Sequence, residues 1–173
     1  AATAGAMIFS KGGNAIDAAI ATQLALAVVY PGAGNIGGGG FMVARLTDGT
    51  NITLDFREKA PSLAHRDMYL DDKGNAQVNL SQNGHLASGV PGTIAGLFAS
   101  HKYARLPFKE LIQPAIDLAE YGFVITAAEA RSLTATQGEF KKLNTFTPVF
   151  VKVGGWKTGD TLIQKDLAKT LIR

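Results

Sequence analysis

The sequence predicts a mixed chain of helices and strands, α/β or α+β in class. Three observations lead there. A strand-like run at 41–46 and a run of alternating apolar and polar residues at 51–57 flank the turn signal Asp48-Gly49 and so form a hairpin. Other stretches space their apolar residues three and four apart and open on helix-start residues such as Asn14, Pro107 and Thr126. With 173 residues, 46% of them hydrophobic and 18% charged, the chain is long enough to bury one real core, and one domain over 1–173 is expected.

The elements follow in order. Ala1 to Ser10 is helix-like but starts without a capping residue, and Gly12-Gly13 ends it. Asn14 caps the next helix, with Asp17 in its first turn favourable to the dipole. Ile16, Ile20, Leu24 and Ala27 recur at helical spacing, and alanines fill most other positions, so this helix is narrow and buried on several sides until Pro31 stops it. After the hairpin, Arg66 to Leu70 is a short strand or a turn of helix, and Asp71 to Asn75 is a polar turn. Pro91-Gly92-Thr93 opens a helix carrying Ile94, Leu97 and Phe98. Pro107 starts another, with Leu111, Ile112, Ala115, Leu118 and Ala119 inward and Pro114 expected to kink or divide it; Gly122 ends it. Thr126 and Glu129 form a capping box for a helix of about ten residues. Thr145 to Val153 is strand-like, and Asp166 to Arg173 begins a last helical pattern. Neither end carries a start or stop signal, so a fragment is expected.

Composition and spacing exclude several functions. Net charge is +3, but lysines and arginines are scattered with no basic run among aromatics, which disfavours nucleic-acid binding. There is no cysteine, hence no disulfide or thiolate metal site. The longest apolar run, Leu24 to Pro31, is far too short for a membrane span. Gly32 to Gly37 matches G-x-G-x-x-G, yet a dinucleotide fingerprint follows a strand and opens a helix; here a helix precedes and a strand follows. The glycines at 37–40 are better explained by close backbone approach. Asp67, Asp71 and Asp72 lack the spacing of a calcium loop, His65, His85 and His101 lack ligand spacing, and His85 with Ser88 lacks any hydrolase motif.

One side chain stands out. In the second strand Ile52, Leu54 and Phe56 share one face, while Asn51, Thr53, Asp55 and Arg57 share the other. Slipping the register by one residue would bury Arg57 and expose Phe56, so the pattern pins Arg57 at the strand end with Asp55 two residues back on its own face. A guanidinium so held can grip a carboxylate or phosphate through a planar two-pronged contact. An ordinary surface ion pair between Asp55 and Arg57 fits the same pattern.

Five strings carry a resemblance over nearly the whole chain. They are Gly12 to Ala19 (GGNAIDAA), Gly34 to Phe41 (GNIGGGGF), Asp55 to Glu58 (DFRE), Ser88 to Thr93 (SGVPGT) and Lys157 to Leu162 (KTGDTL). Together, and in this order, they closely resemble the γ-glutamyltranspeptidase family, in the N-terminal part of its large subunit. The resemblance implies an α+β, N-terminal nucleophile hydrolase fold, an αββα sandwich of which this chain is an incomplete part. It implies a precursor that cuts itself in two, and a small subunit whose new N-terminal threonine is the nucleophile. That threonine takes the γ-glutamyl group from glutathione and passes it to water, an amino acid or a peptide. No cofactor or metal is implied, and the compartment implied is periplasmic or extracellular. Arg57 matches the family arginine that binds the glutamyl α-carboxylate, with Asp55 and Glu58 as groups that orient it. No catalytic residue is expected in this chain, so residues 1–173 alone should be inactive. Related amide acylases and a non-catalytic fragment are the alternatives, a nucleotide-binding enzyme a distant third; the DFRE string favours γ-glutamyl substrates.

Overall fold

The computed structural model describes residues 1–173, which fall into two compact units: Ala1–Asn35 with Tyr103–Arg173, and Ile36–Lys102. The first is mainly helical. Helices α1 (Ala2–Ser10), α2 (Ala15–Val29), α5 (Phe108–Tyr121) and α7 (Lys165–Ile172) pack on one another. As its alanine content predicts, α2 is buried nearly all round: Ile16, Ala18, Ile20, Ala21, Leu24, Ala25, Ala27 and Val28 all lie inside. Small side chains let its neighbours approach closely, and Ile8, Leu111, Ala115, Ala119 and Leu171 fill the space around it. Buried Gln164 joins three helices: its Nε2 donates to the Val28 carbonyl (2.8 Å) and its backbone N–H to the Ala119 carbonyl (2.9 Å).

The α2 start is held by more than a cap. Asn14 Oδ1 accepts from the N–H groups of Ile16 and Asp17, while the Asp17 carboxylate accepts from Asn14 N–H at 2.7 Å. Asp17 is wholly buried, and it also accepts from the backbone N–H groups of Arg105 (3.0 and 3.1 Å) and Leu106 (3.0 Å). Asn14 Nδ2 donates to the Tyr103 carbonyl at 2.8 Å. So the segment leading into α5 is tied to the start of α2, a link 88 residues long that the local cap pattern does not announce.

Beside these helices, β3 (Phe123–Val124) and β4 (Thr161–Leu162) pair antiparallel and pack with α6 (Ala127–Leu143). Ile125, Ala130, Leu133 and Leu162 are buried there, with Phe123, Phe150 and Trp156 against them. This unit differs from the sequence expectations in four places. Pro114 does not divide α5, because the buried stripe Leu111, Ala115 and Ala119 outweighs one missing hydrogen bond. Helix α6 has 17 residues rather than about ten; Gly138 costs it only about 1 kcal/mol, and beyond it Phe140 packs its ring on Phe150, centroids 5.6 Å apart. Residues 145–153 form no strand. Pro148 lacks a ladder donor, and the backbone bonds elsewhere: Lys152 N–H to Gln137 Oε1 (2.6 Å), and the Phe150 carbonyl from Trp156 Nε1 (2.7 Å). The β3–β4 ribbon was not anticipated, since two-residue strands carry no periodicity.

The second unit is built on the hairpin. Strands β1 (Phe41–Arg45) and β2 (Asn51–Asp55) pair antiparallel in the register Phe41↔Asp55 to Arg45↔Asn51, and Gly49 at φ +87° makes the turn. Both strands alternate as predicted, Met42, Ala44, Ile52 and Leu54 half-buried and their neighbours exposed. Helix α4 (Thr93–His101) buries Thr93, Gly96, Leu97 and Ser100; Phe98 is exposed, so the inward stripe is shifted from the apolar residues named above. Residues 66–70 are turns closed by a Leu70–Ala76 bridge, and a short helix α3 (Val78–Gln82) follows. No helix in the chain is long and apolar enough to cross a membrane.

Candidate functional site

The site is the end of β2. The ladder runs one pair past the strand, with Phe56 N–H donating to the Gly40 carbonyl (2.9 Å) and Gly40 N–H to the Phe56 carbonyl (3.4 Å). On the other side Lys59 and Val90 exchange backbone hydrogen bonds of 3.1 and 2.8 Å. Gly92 and Thr93 N–H groups both donate to the Gly38 carbonyl, at 2.8 and 3.0 Å. Residues 56–59 are therefore held by backbone between the glycine run and the Ser88–Thr93 string. Three of the five strings meet here, though the last of them lies 30 residues beyond Glu58 in sequence.

Glycine makes the approach possible. A Cβ on Gly39 would lie 2.7 Å from Arg57 Cα, and one on Gly92 only 2.0 Å from the Phe56 carbonyl oxygen. A Cβ on Gly40 would meet the Phe56 ring at 2.9 Å and one on Gly96 at 2.1 Å. None of these four glycines has positive φ, so absence of a side chain, not backbone freedom, is what the sites require. The close approach expected at 37–40 holds for Gly39 and Gly40; Gly37 has open space around it.

On this support Arg57 and Asp55 form a two-pronged pair. Nε donates to Asp55 Oδ1 at 3.0 Å and Nη2 to Oδ2 at 2.7 Å, and Arg57 N–H donates to Oδ1 at 3.1 Å. The Arg57 side-chain bonds, chiefly, hold the Asp55 carboxyl down to about 2 from its ordinary 3.8. The same bonds, then the carboxylate charge, push the guanidinium above its ordinary value. Both side chains remain open to solvent, Arg57 67% and Asp55 60% exposed. Of the five guanidinium N–H groups Asp55 takes two; the edge formed by Nη1 and the second Nη2 hydrogen is unclaimed and has the geometry to receive a second carboxylate. Glu58 makes no hydrogen bond to Arg57 and reaches it only through charge, with its Cβ turned towards Gly89.

Thr93 is buried and its hydroxyl has no hydrogen-bond partner, so no base activates it. No group of three or more histidines or acids is arranged to hold a metal. The other two strings do structural work: the first supplies the Asn14–Asp17 cap, and the last turns the chain through Gly159 into β4. Sequence reasoning missed Gly92 and Gly96. A glycine inside a helix is a signal of close packing, but not of the partner, which lies 40 residues away at Phe56.

Comparison with known proteins gives the class first. The structure of Helicobacter pylori gamma-glutamyltranspeptidase superposes with a TM-score of 0.93 at 49% identity, covering 98% of this chain and 50% of that one. The fold is thus that of the N-terminal nucleophile hydrolases, an α+β class, in part. Within that class, the family model for gamma-glutamyltranspeptidase matches residues 1–173, and the chain belongs to this family. A glutathione hydrolase proenzyme of Pseudomonas sp. (strain A14) is 48% identical over 99% of the chain, and one of Escherichia coli (strain K12) 47% identical over 96%. The chain spans about 30% of the length of these relatives.

Proposed function

We propose that this chain is the N-terminal portion of the large subunit of a γ-glutamyltransferase and glutathione hydrolase, and that Arg57 binds the α-carboxylate of the γ-glutamyl group. The observation that carries this is the guanidinium clasped by Asp55 along one edge, with the other edge open. The clasp removes rotamer freedom before substrate arrives, so less entropy is lost on binding. The open edge then takes the carboxylate through two parallel charged bonds.

The rest of the reaction follows the family. A threonine at the N-terminus of a small subunit attacks the γ-amide carbonyl, and its own free amine takes the proton. Donors from that subunit hold the oxyanion. Collapse of the tetrahedral intermediate breaks the amide C–N bond, the leaving amine takes the proton back from the threonine's own amine, and the glutamyl ester then passes to water, an amino acid or a peptide. Arg57 makes no bond to the reacting carbon; fixing the far end of the glutamyl group, it orients the amide for attack. The substrates are glutathione and other γ-glutamyl compounds, no cofactor takes part, and the compartment is periplasmic or extracellular. Residues 1–173 alone cannot turn over, since the pair has no activated nucleophile beside it.

The test is kinetic, in the complete enzyme. Arg57→Lys keeps the charge and loses the fork, so kcat/KM for γ-glutamyl-p-nitroanilide falls about ten- to a hundredfold. Self-cleavage of the precursor continues, because the arginine serves only substrate binding. Kinetics equal to the parent enzyme would remove Arg57 from the site.

A further inference from the structure

We propose that Gly96 of α4 and Gly92 just before it, together with Gly40, are positioning residues for Arg57, acting on it through Phe56. The inference rests on reading Arg57 as the carboxylate contact and adds what sets its reach.

Arg57 is exposed, and its only side-chain partner, Asp55, stands on the same short strand. The pair is internally aligned, but nothing in it fixes where the guanidinium stands relative to the scaffold. That reference comes from Phe56, one residue back and on the opposite face. Its ring lies flat enough against Gly96 that a Cβ there would stand 2.1 Å from Cγ, 2.3 Å from Cδ2 and 2.5 Å from Cδ1. These are the root atoms of the ring, not a flexible tip, so the whole side chain must move. Gly40 in turn closes on the ring tip, at 2.9 Å from Cε2 and 3.3 Å from Cζ. Gly92 abuts the Phe56 carbonyl, and through it the Arg57 backbone. Two bare backbones thus meet the ring, one at its root and one at its tip. Normal contact needs about 3.4 Å or more, so one methyl at position 96 forces Phe56 by an ångström or more. Adjacent residues of an extended segment move together, and displacement on that scale costs an oriented reaction one to two orders of magnitude.

Helix glycine is destabilising, and here the vacancy has a use: it lets α4 serve as a stop for the strand that carries the substrate contact. Gly96 and Gly92 touch no substrate. They act only by way of Phe56, and their effect should appear only where Arg57 has a carboxylate to meet.

The experiment is a double-mutant cycle in the complete enzyme, read as separate KM and kcat values. Gly96→Ala is made in the parent and in an Arg57→Ala background. Each is assayed on γ-glutamyl-p-nitroanilide and on 4-aminobutyryl-p-nitroanilide, which lacks the α-carboxylate. The expected result is a rise in KM of about tenfold for the glutamyl substrate in the parent background, no further rise when Arg57 is absent, and no rise on the analogue. Should Gly96→Ala not accumulate, Gly40→Ala, which meets only the ring tip, gives a rise of about two- to threefold with the same dependence. Glycine variants with unchanged KM, or an equal rise on the analogue or without Arg57, overturn the proposal. An Arg57→Ala enzyme with the parent KM instead sinks the carboxylate reading beneath it, so the two failures are told apart.

Discussion

Two aspartates show how differently the two units use a carboxylate. Asp17 is wholly buried and accepts from three separate backbone N–H groups, of Asn14, Arg105 and Leu106. Asp55 is 60% exposed and spends both oxygens on one neighbouring guanidinium. Removing the first leaves buried donors with nothing to bond. Removing the second leaves groups that water satisfies at once. The same functional group is therefore structural in one place and available for ligand work in the other, and burial decides which.

The largest expected effect breaks the buried side of the comparison. In the complete enzyme Asp17→Ala strands three N–H groups, each costing about 1–3 kcal/mol, for a loss of about 3 kcal/mol or more. Urea unfolding measures it; a midpoint unmoved from the parent contradicts the network. Next comes Asn14→Ala, which removes the cap but leaves the carboxylate, at about 0.5–2 kcal/mol by the same measurement. If it equals or exceeds Asp17→Ala, the network has been apportioned wrongly.

On the exposed side, Asp55→Asn keeps the shape and weakens the clasp. Its melting temperature should match the parent, as exposed pairs contribute little, while KM for γ-glutamyl-p-nitroanilide rises a few-fold. A lowered melting temperature with unchanged KM reverses the assignment. The smallest effect is in pH. The folded Asp55 pKa, about 2, lies below its ordinary 3.8, so whatever the pair contributes is present above 3.8 and is lost only as pH falls through about 2. A carboxylate chemical shift followed by NMR from pH 6 down to 3 should stay nearly flat; a midpoint at or near the ordinary 3.8 disproves the clasp.

Legibility in the sequence follows the range of the interactions. The Asn14 cap, the capping box of Thr126 and Glu129, the hairpin and the face shared by Asp55 and Arg57 depend on residues within four positions or on strict alternation, and each is legible directly. The strand expected at 145–153 failed for the opposite reason. It is rich in β-branched and aromatic residues, but the partners are Gln137 and Trp156, contacted by backbone and carbonyl rather than by a ladder. The family could be named from five strings, yet only their meeting explains three of them. Close backbone approach is legible at 37–40 and a helix entry at Pro91-Gly92-Thr93, but that both segments close on residues 56–59 is not.

By itself, then, the sequence determined most of the helices with the caps at Asn14 and Thr126, the hairpin, and Arg57 beside Asp55. These are consequences of local hydrogen bonding and of the periods of helix and strand, which any stretch of chain carries within itself. Tertiary structure alone decided that Asp17 reaches Arg105 and Leu106, that Gln164 joins three helices, and that Gly92 and Gly96 fit around Phe56. Those depend on which distant backbone arrives alongside. A glycine or a carboxylate states what can approach it, and only the packed chain shows what does.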